Sequence, residues 1–271
     1  MRKYLSMLCW MLGAGVLTTS CSSDDEPTVP DGMGVVRLTL EAGMNYEAST
    51  KAVDEAPYKN IDNYNKKWYQ KGYSDLGEDI WTEISAPEEI DDTYTLFKGS
   101  YKIVADYKDE YKGVTASQEG FYSVGESSFI VSDTPANVEV VCEPTHGKMT
   151  VAFGDQMASY FDDYKVEIST PKLAGNSETL TWGKEETNPW YLLVDESGET
   201  VTATIKLTPK AEYSISTTEI VRTHTLAPNK AWKLNVNASY EPSNGNLSIT
   251  ITIDEGTNDK TQTIEIPLEW L

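Results

Sequence analysis

From residue 34 onward the chain alternates apolar and polar residues with period two, which restricts it to half-buried strands of antiparallel sheets. Val36, Leu38 and Leu40 alternate with Arg37, Thr39 and Glu41, and Tyr101, Ile103, Ala105 and Tyr107 alternate with Lys102, Asp106 and Lys108. The pattern returns at Met149, Val151, Phe153, at Tyr164, Val166, Ile168, at Val201 to Leu207, at Trp232 to Ala238 and at Leu247 to Ile253. Thr and Lys fill most intervening positions, as suits a solvated strand face. Turn signals separate these runs at Asp195 to Gly198, Pro242 to Gly245 and Asp254 to Gly256. Helical periodicity is nearly absent; one short turn is expected from Gln156 to Phe161, with Asp155 as its cap. Evenly spaced strands with Gly-bearing turns predict an all-β chain of two tandem antiparallel β-sandwich domains, residues 34–143 and 144–271. Pro144, Thr145, His146 and Gly147 mark the boundary. Each half opens alike, Gly34 preceding Val36, Leu38 and Leu40, and Gly147 preceding Met149, Val151 and Phe153.

The N-terminus supplies an address. Arg2 and Lys3 precede an apolar run from Leu5 to Leu17 that is too short to span a bilayer, so residues 1–20 read as a secretion signal. Thr19 and Ser20 place small residues before Cys21, the pattern of a bacterial lipoprotein cleavage site; the alternative is an ordinary secretory leader beside an incidental cysteine. Acyl chains on Cys21 would contribute about 0.8 kcal/mol per buried methylene, anchoring the chain to a membrane without spanning it. Residues 21–33 form a polar, acidic, Pro-bearing tether. Ser22, Ser23, Asp24, Asp25 and Glu26 also resemble the export signal of Bacteroidota lipoproteins facing outward from the outer membrane.

Charge removes one class of partner. The formal net charge is −21, and loss of Arg2 and Lys3 with the leader makes it −23. Such a surface repels phosphate backbones, so nucleic acid is excluded. Cysteine adds little: Cys9 leaves with the leader, Cys21 is the lipidation site, and Cys142 has no partner. Cys142 shares an apolar register with Val138 and Val140, where burial raises a thiol pKa and leaves it inert.

No constellation points to catalysis. His146 and His224 have no second His or Cys at ligand spacing, and no Gly-x-Ser-x-Gly elbow occurs. The acidic clusters Glu88, Glu89, Asp91, Asp92 and Asp162, Asp163 read as solvated, and Asp254 to Asp259 lacks a calcium-loop pattern. No metal, cofactor or enzymatic activity is expected. The segment from Thr50 to Tyr94 breaks the alternation and reads as an edge strand with long loops. Within it Tyr58, Tyr64, Trp68, Tyr69 and Tyr73 are interleaved with Asn60, Asn63, Asn65 and Gln70. Flat rings beside amides suit a glycan or a protein partner, and equally suit packing on the sandwich.

The ordered landmarks resemble the domain-of-unknown-function 4493 family of Bacteroidota lipoproteins. The resemblance rests on Gly34 to Leu40, Gly99 to Ala105, Gly120 to Ser123 with Phe129 and Val131, Val138 to Cys142, Phe161 to Val166, Gly245 to Asp254, and Ile266 to Trp270. The Asn- and Lys-rich stretch from Lys59 to Lys71 departs from the family's second strand. The resemblance implies a lipid-anchored exterior protein built from two transthyretin-like sandwiches, as in fimbrillin-like proteins. The family offers no catalytic residues to transfer. The expected role is a non-catalytic surface component in adhesion, fimbria association or scaffolding, with fimbrial or other surface proteins as partners; the alternative is a glycan-binding lipoprotein for polysaccharide capture.

Overall fold

The computed structural model describes residues 29–46, 53–90, 93–186, 188–215, 218–241, 246–254, 260–267 and 269–270. Cys21, the run from Ser22 to Glu26, and the turns at 242–245 and 255–259 lie outside the described residues. The chain is all-β. The first part contributes β1 (Met33–Ala42), β2 (Asn65–Tyr73), β3 (Asp79–Ile84), β4 (Glu89–Ile90), β5 (Thr93–Phe97), β6 (Gly99–Tyr107), β7 (Ala116–Ser117), β8 (Ser123–Val131) and β9 (Ala136–Pro144). Except for β7, these form one ribbon ordered β3-β2-β6-β8-β9-β1-β5-β4. Its two halves face each other across a core: the ring centroids of Trp68 on β2 and Tyr94 on β5 lie 4.9 Å apart. Cys142 on β9 sits 3.6 Å from the Ala105 carbonyl of β6, and burial raises its thiol pKa to about 11.

The second part contributes β10 (His146–Phe153), β11 (Phe161–Ser169), β12 (Leu180–Trp182), β13 (Trp190–Leu193), β14 (Glu199–Pro209), β15 (Tyr213–Ser214), β16 (Glu219–Leu226), β17 (Ala231–Glu241), β18 (Asn246–Asp254), β19 (Lys260–Pro267) and β20 (Glu269–Trp270). A six-stranded sheet, β19-β18-β17-β10-β13-β7, stacks on a four-stranded sheet, β12-β11-β14-β16, and β15 pairs with β20. Val201, Ile205, Leu234, Ile249 and Trp182 meet in the core between the two larger sheets.

The two parts share a plan that antiparallel reasoning from sequence does not contain. β1 lies between antiparallel β5 and parallel β9, and β10 lies between antiparallel β13 and parallel β17. Each of these strands also carries an early glycine in a crowded place. A Cβ on Gly34 would fall 2.2 Å from the Ser132 carbonyl oxygen, and one on Gly147 would fall 2.4 Å from the Leu226 side chain.

Two local expectations are corrected. The turn α1 (Met157–Tyr160) begins after Gln156 with no side-chain cap; the Gly154 carbonyl accepts the Met157 N–H at 3.0 Å, so the group Asp155 was expected to satisfy is already bonded. The segment 50–94 does supply the two edge strands of the ribbon, β3 and β4, but the strand that carries Trp68, Tyr69 and Tyr73 is not one of them, because β2 is interior, flanked by β3 and β6. Its broken alternation reflects two 3-10 turns, Ala56–Lys59 and Ile61–Asn63, that precede β2.

The parts interlock where sequence alternation implied solvent. Lys148 and Thr150 occupy the polar register of β10, yet both are buried, as is His146. Loops of the first part cover that face. Met44, Tyr46, Tyr58 and Phe121 cluster with Tyr191 of β13, and β7 adds to the edge of β13. Glu55 Oε1 accepts hydrogen bonds from Lys148 Nζ at 2.7 Å and from the Tyr191 hydroxyl at 2.6 Å. Asn229 accepts from Asn45 N–H at 2.7 Å and donates to the Gly43 carbonyl at 2.7 Å and to Glu143 at 3.0 Å. Tyr46 donates to the His146 carbonyl, while His146 Nε2 lies 3.0 Å from the Val114 carbonyl.

Removing one member of the buried ion pair leaves an uncompensated charge, whereas removing both leaves an apolar contact. Lys148→Met is therefore expected to cost about 3–5 kcal/mol in urea denaturation, with the Glu55→Met, Lys148→Met double variant recovering part of that loss, the rest reflecting the Tyr191 hydroxyl left without its acceptor. Burial also lowers the His146 pKa from 6.5 to about 4, so the folded state binds fewer protons there than the unfolded state. The resulting stabilisation is complete above pH 6.5 and disappears as pH falls toward 4. Between pH 7 and pH 4 the native chain should lose about 3 kcal/mol more than a His146→Gln variant, as read from denaturation curves at each pH.

Candidate functional site

The structure divides the aromatic residues that sequence grouped as one surface. Tyr58, Tyr64 and Trp68 are 2%, 5% and 1% exposed, which removes them from any ligand surface. Tyr58 stacks on Phe121 with centroids 3.8 Å apart, and its hydroxyl oxygen accepts the Phe121 N–H at 3.1 Å. The Tyr64 hydroxyl donates to the Tyr58 carbonyl at 2.9 Å and lies 3.0 Å from Ser123 Oγ. These hydroxyls find partners inside the molecule, which lets the rings enter the core. Burial pushes the pKa of both tyrosines up.

Tyr69 and Tyr73 go the other way. Trp68 faces the core, so Tyr69, Lys71 and Tyr73 point from the opposite face of β2. Register sets Lys71 opposite Trp81 and Tyr69 opposite Glu83 on β3, and Tyr69 opposite Lys102 on β6. Lys102 Nζ lies 5.4 Å from the Tyr69 ring centroid and 5.5 Å from that of Trp81. Its nearest carboxylate oxygen, on Glu126, is 3.8 Å away. Lys71 pairs with Asp79 at 2.7 Å, which raises its ammonium pKa. At one end Lys67 pairs with Asp106 at 2.6 Å, and the Tyr122 hydroxyl lies 3.4 Å from the same carboxylate oxygen. Tyr73 is 74% exposed and Trp81 36% exposed.

Trp81 and Lys102 were absent from the sequence grouping. A signal existed, since Asp79, Trp81 and Glu83 form one alternate set of β3, but its outward direction depends on cross-strand register, which local sequence does not fix. Among the described residues no group of three His, Cys, Asp or Glu converges on a metal position, and no helix is long and apolar enough to cross a membrane. Asp162 and Asp163 are both exposed.

These features define an all-β protein of two interlocked sandwiches with an aromatic, lysine-bearing outer sheet face. Residues 32–268 match the family described as Domain of unknown function (DUF4493), and the chain belongs to it. Nothing among curated proteins matches. Solved structures similar to it include a fimbrial assembly protein from Parabacteroides distasonis, at 9% identity and TM-score 0.40, covering 86% of this chain and 98% of that one. Another is the fimbrial anchor protein Mfa2 from Porphyromonas gingivalis, at 11% identity and TM-score 0.36, covering 82% of this chain and 97% of that one. Likenesses of this size carry no functional weight.

The division between inward and outward rings has a direct readout. Trp68→Ala should destabilise by about 3–5 kcal/mol, and Trp81→Ala by no more than about 1 kcal/mol, both measured by chemical denaturation. Equal losses in the two variants would contradict the assigned faces.

Proposed function

We propose that the chain is a non-catalytic lipoprotein of the bacterial cell surface, anchored in the outer membrane through Cys21 and acting as an adhesion, fimbria-associated or scaffold component. The observation that carries this reading is the interlocked junction. The buried Glu55 contact with Lys148 and Tyr191, together with β7 added to the second part's sheet, ties the two sandwiches to each other. Joined sandwiches on a polar tether suit the presentation of a surface at a distance from the membrane. Residues 34–143 and 144–271 are the two domains in this reading, with the boundary at the end of β9.

An assembly role is further supported by the place of β19, the outermost strand of the six-stranded sheet. An edge strand can be extended by a strand from another chain, and strand addition supplies backbone hydrogen bonds to a partner chain. The basic and apolar leader, Cys21 and the run from Ser22 to Glu26 support the anchored, outward-facing address.

Labelled palmitate fed to the native cells should enter the full chain and fail to enter a Cys21→Ser variant, and protease added to intact cells should remove the protein. Cross-linking on those cells should then capture other surface proteins. Absence of label in the native chain, or resistance to protease that disappears only after lysis, would defeat the surface-anchored reading.

A further inference from the structure

The outer face formed by β3, β2, β6 and β8 presents rings and charges together. We infer that this face is a binding site for a neutral polysaccharide, with Trp81 and Tyr69 as its stacking platform. The site goes beyond an anchored scaffold and does not depend on it.

The rings carry the first part of the argument. An aromatic ring in a solvent-facing sheet offers an apolar plane that water hydrates poorly, and the C–H face of a pyranose covers such a plane while its hydroxyls stay at the rim. Lys102 lies close to both rings, a cation–π contact that favours this side-by-side placement of the rings before any ligand arrives. Tyr69 and Tyr73 are four residues apart on one face of β2, about 13 Å along the strand. The site is therefore elongated, as a chain ligand requires.

The charges carry the second part. Lys71 with Asp79 and Lys102 with Glu126 each set an ammonium beside a carboxylate. A donor next to an acceptor matches a pair of neighbouring hydroxyls, each of which both donates and accepts. The 3.8 Å separation of Lys102 from Glu126 is too long for a hydrogen bond, so the Lys102 ammonium retains protons for a sugar oxygen.

The same inventory decides among ligand classes. Lys67, Lys71 and Lys102 are matched by Asp106, Asp79 and Glu126, and Glu83 adds a further negative charge beside Tyr69. The face has no excess of positive charge, and the chain as a whole carries −21. Polyanionic glycans are repelled. A protein partner fits less well, because the centres of protein interfaces are depleted of charge, whereas Lys102 and Lys71 stand in the middle of this face.

The test uses the full chain carrying Cys21→Ser to keep it soluble. It is run in native affinity gels containing soluble β-glucan, mannan or xylan, with polygalacturonate as the anionic comparison. At least one neutral polysaccharide should retard the protein. Trp81→Ala and Tyr69→Ala should each weaken that retardation at least tenfold, while Phe97→Ala, an exposed ring outside this face, should leave it unchanged. A second measurement needs no change to the site: the retarding polysaccharide should protect Trp81 from oxidation by N-bromosuccinimide, read by peptide mass spectrometry. No retardation by any neutral polysaccharide, retardation by polygalacturonate alone, or unprotected Trp81 would overturn the assignment. Failure of palmitate to label Cys21 would leave it intact, because the binding assay contains no membrane.

Discussion

The arrangement of the two sandwiches depends on an ammonium and a carboxylate removed from water at their junction. Lys148 and Glu55 are 2% and 8% exposed, and taking two such groups out of water costs several kcal/mol each before their attraction offsets it. Apolar contacts from Met44, Tyr46 and Phe121 could hold the parts together without them. Such contacts lack direction, however, and tolerate sliding. The hydrogen bonds from Lys148 and Tyr191 onto one oxygen of Glu55, with those through Asn229, tolerate little. These polar groups add direction to the junction, alongside the backbone pairing of β7 with β13.

That junction explains why β10 is buried on both faces. Met149 and Val151 pack into the core of the second sandwich, while on the other face His146 and Lys148 meet Val114 and Glu55 of the first part. Proximity to the first part also accounts for the titration behaviour of the region. Tyr46 and Tyr191 have pKa values pushed well up by burial, with Glu55 adding to the shift, and His146 is held neutral in the same dry layer.

The strands of the two cores were legible in the sequence because period-two alternation is a local property. Val36, Ile103, Val166 and Leu234 are all nearly inaccessible in the structure, as their registers imply. Parallel pairing of β1 with β9 and of β10 with β17 was not legible, since the partners lie 100 and 83 residues apart and alternation is blind to direction. Lys148 misled for a related reason. Its neighbours assign it to a polar face, and only residues some ninety positions earlier determine that this face is covered. In the segment 58–73, Tyr58 belongs to a 3-10 turn and Tyr64 follows another. Neither obeys strand alternation, so sequence could not separate them from Tyr69 and Tyr73.

Opposite fates of two similar faces follow from what each can satisfy. On β10, Lys148 reaches a carboxylate supplied by a distant loop and can leave water. On the outer face of β2 and β6, Lys71 and Lys102 find carboxylates on neighbouring strands of their own sheet, Asp79 and Glu126, which are 55% and 65% exposed. Burying that face would strand partly solvated charges without adding hydrogen bonds to them, a penalty that apolar contact with Tyr69 and Trp81 would have to exceed. Keeping the face open avoids the penalty, and its rings, with Lys102 close to both, remain available to a ligand that brings hydroxyls in place of lost water.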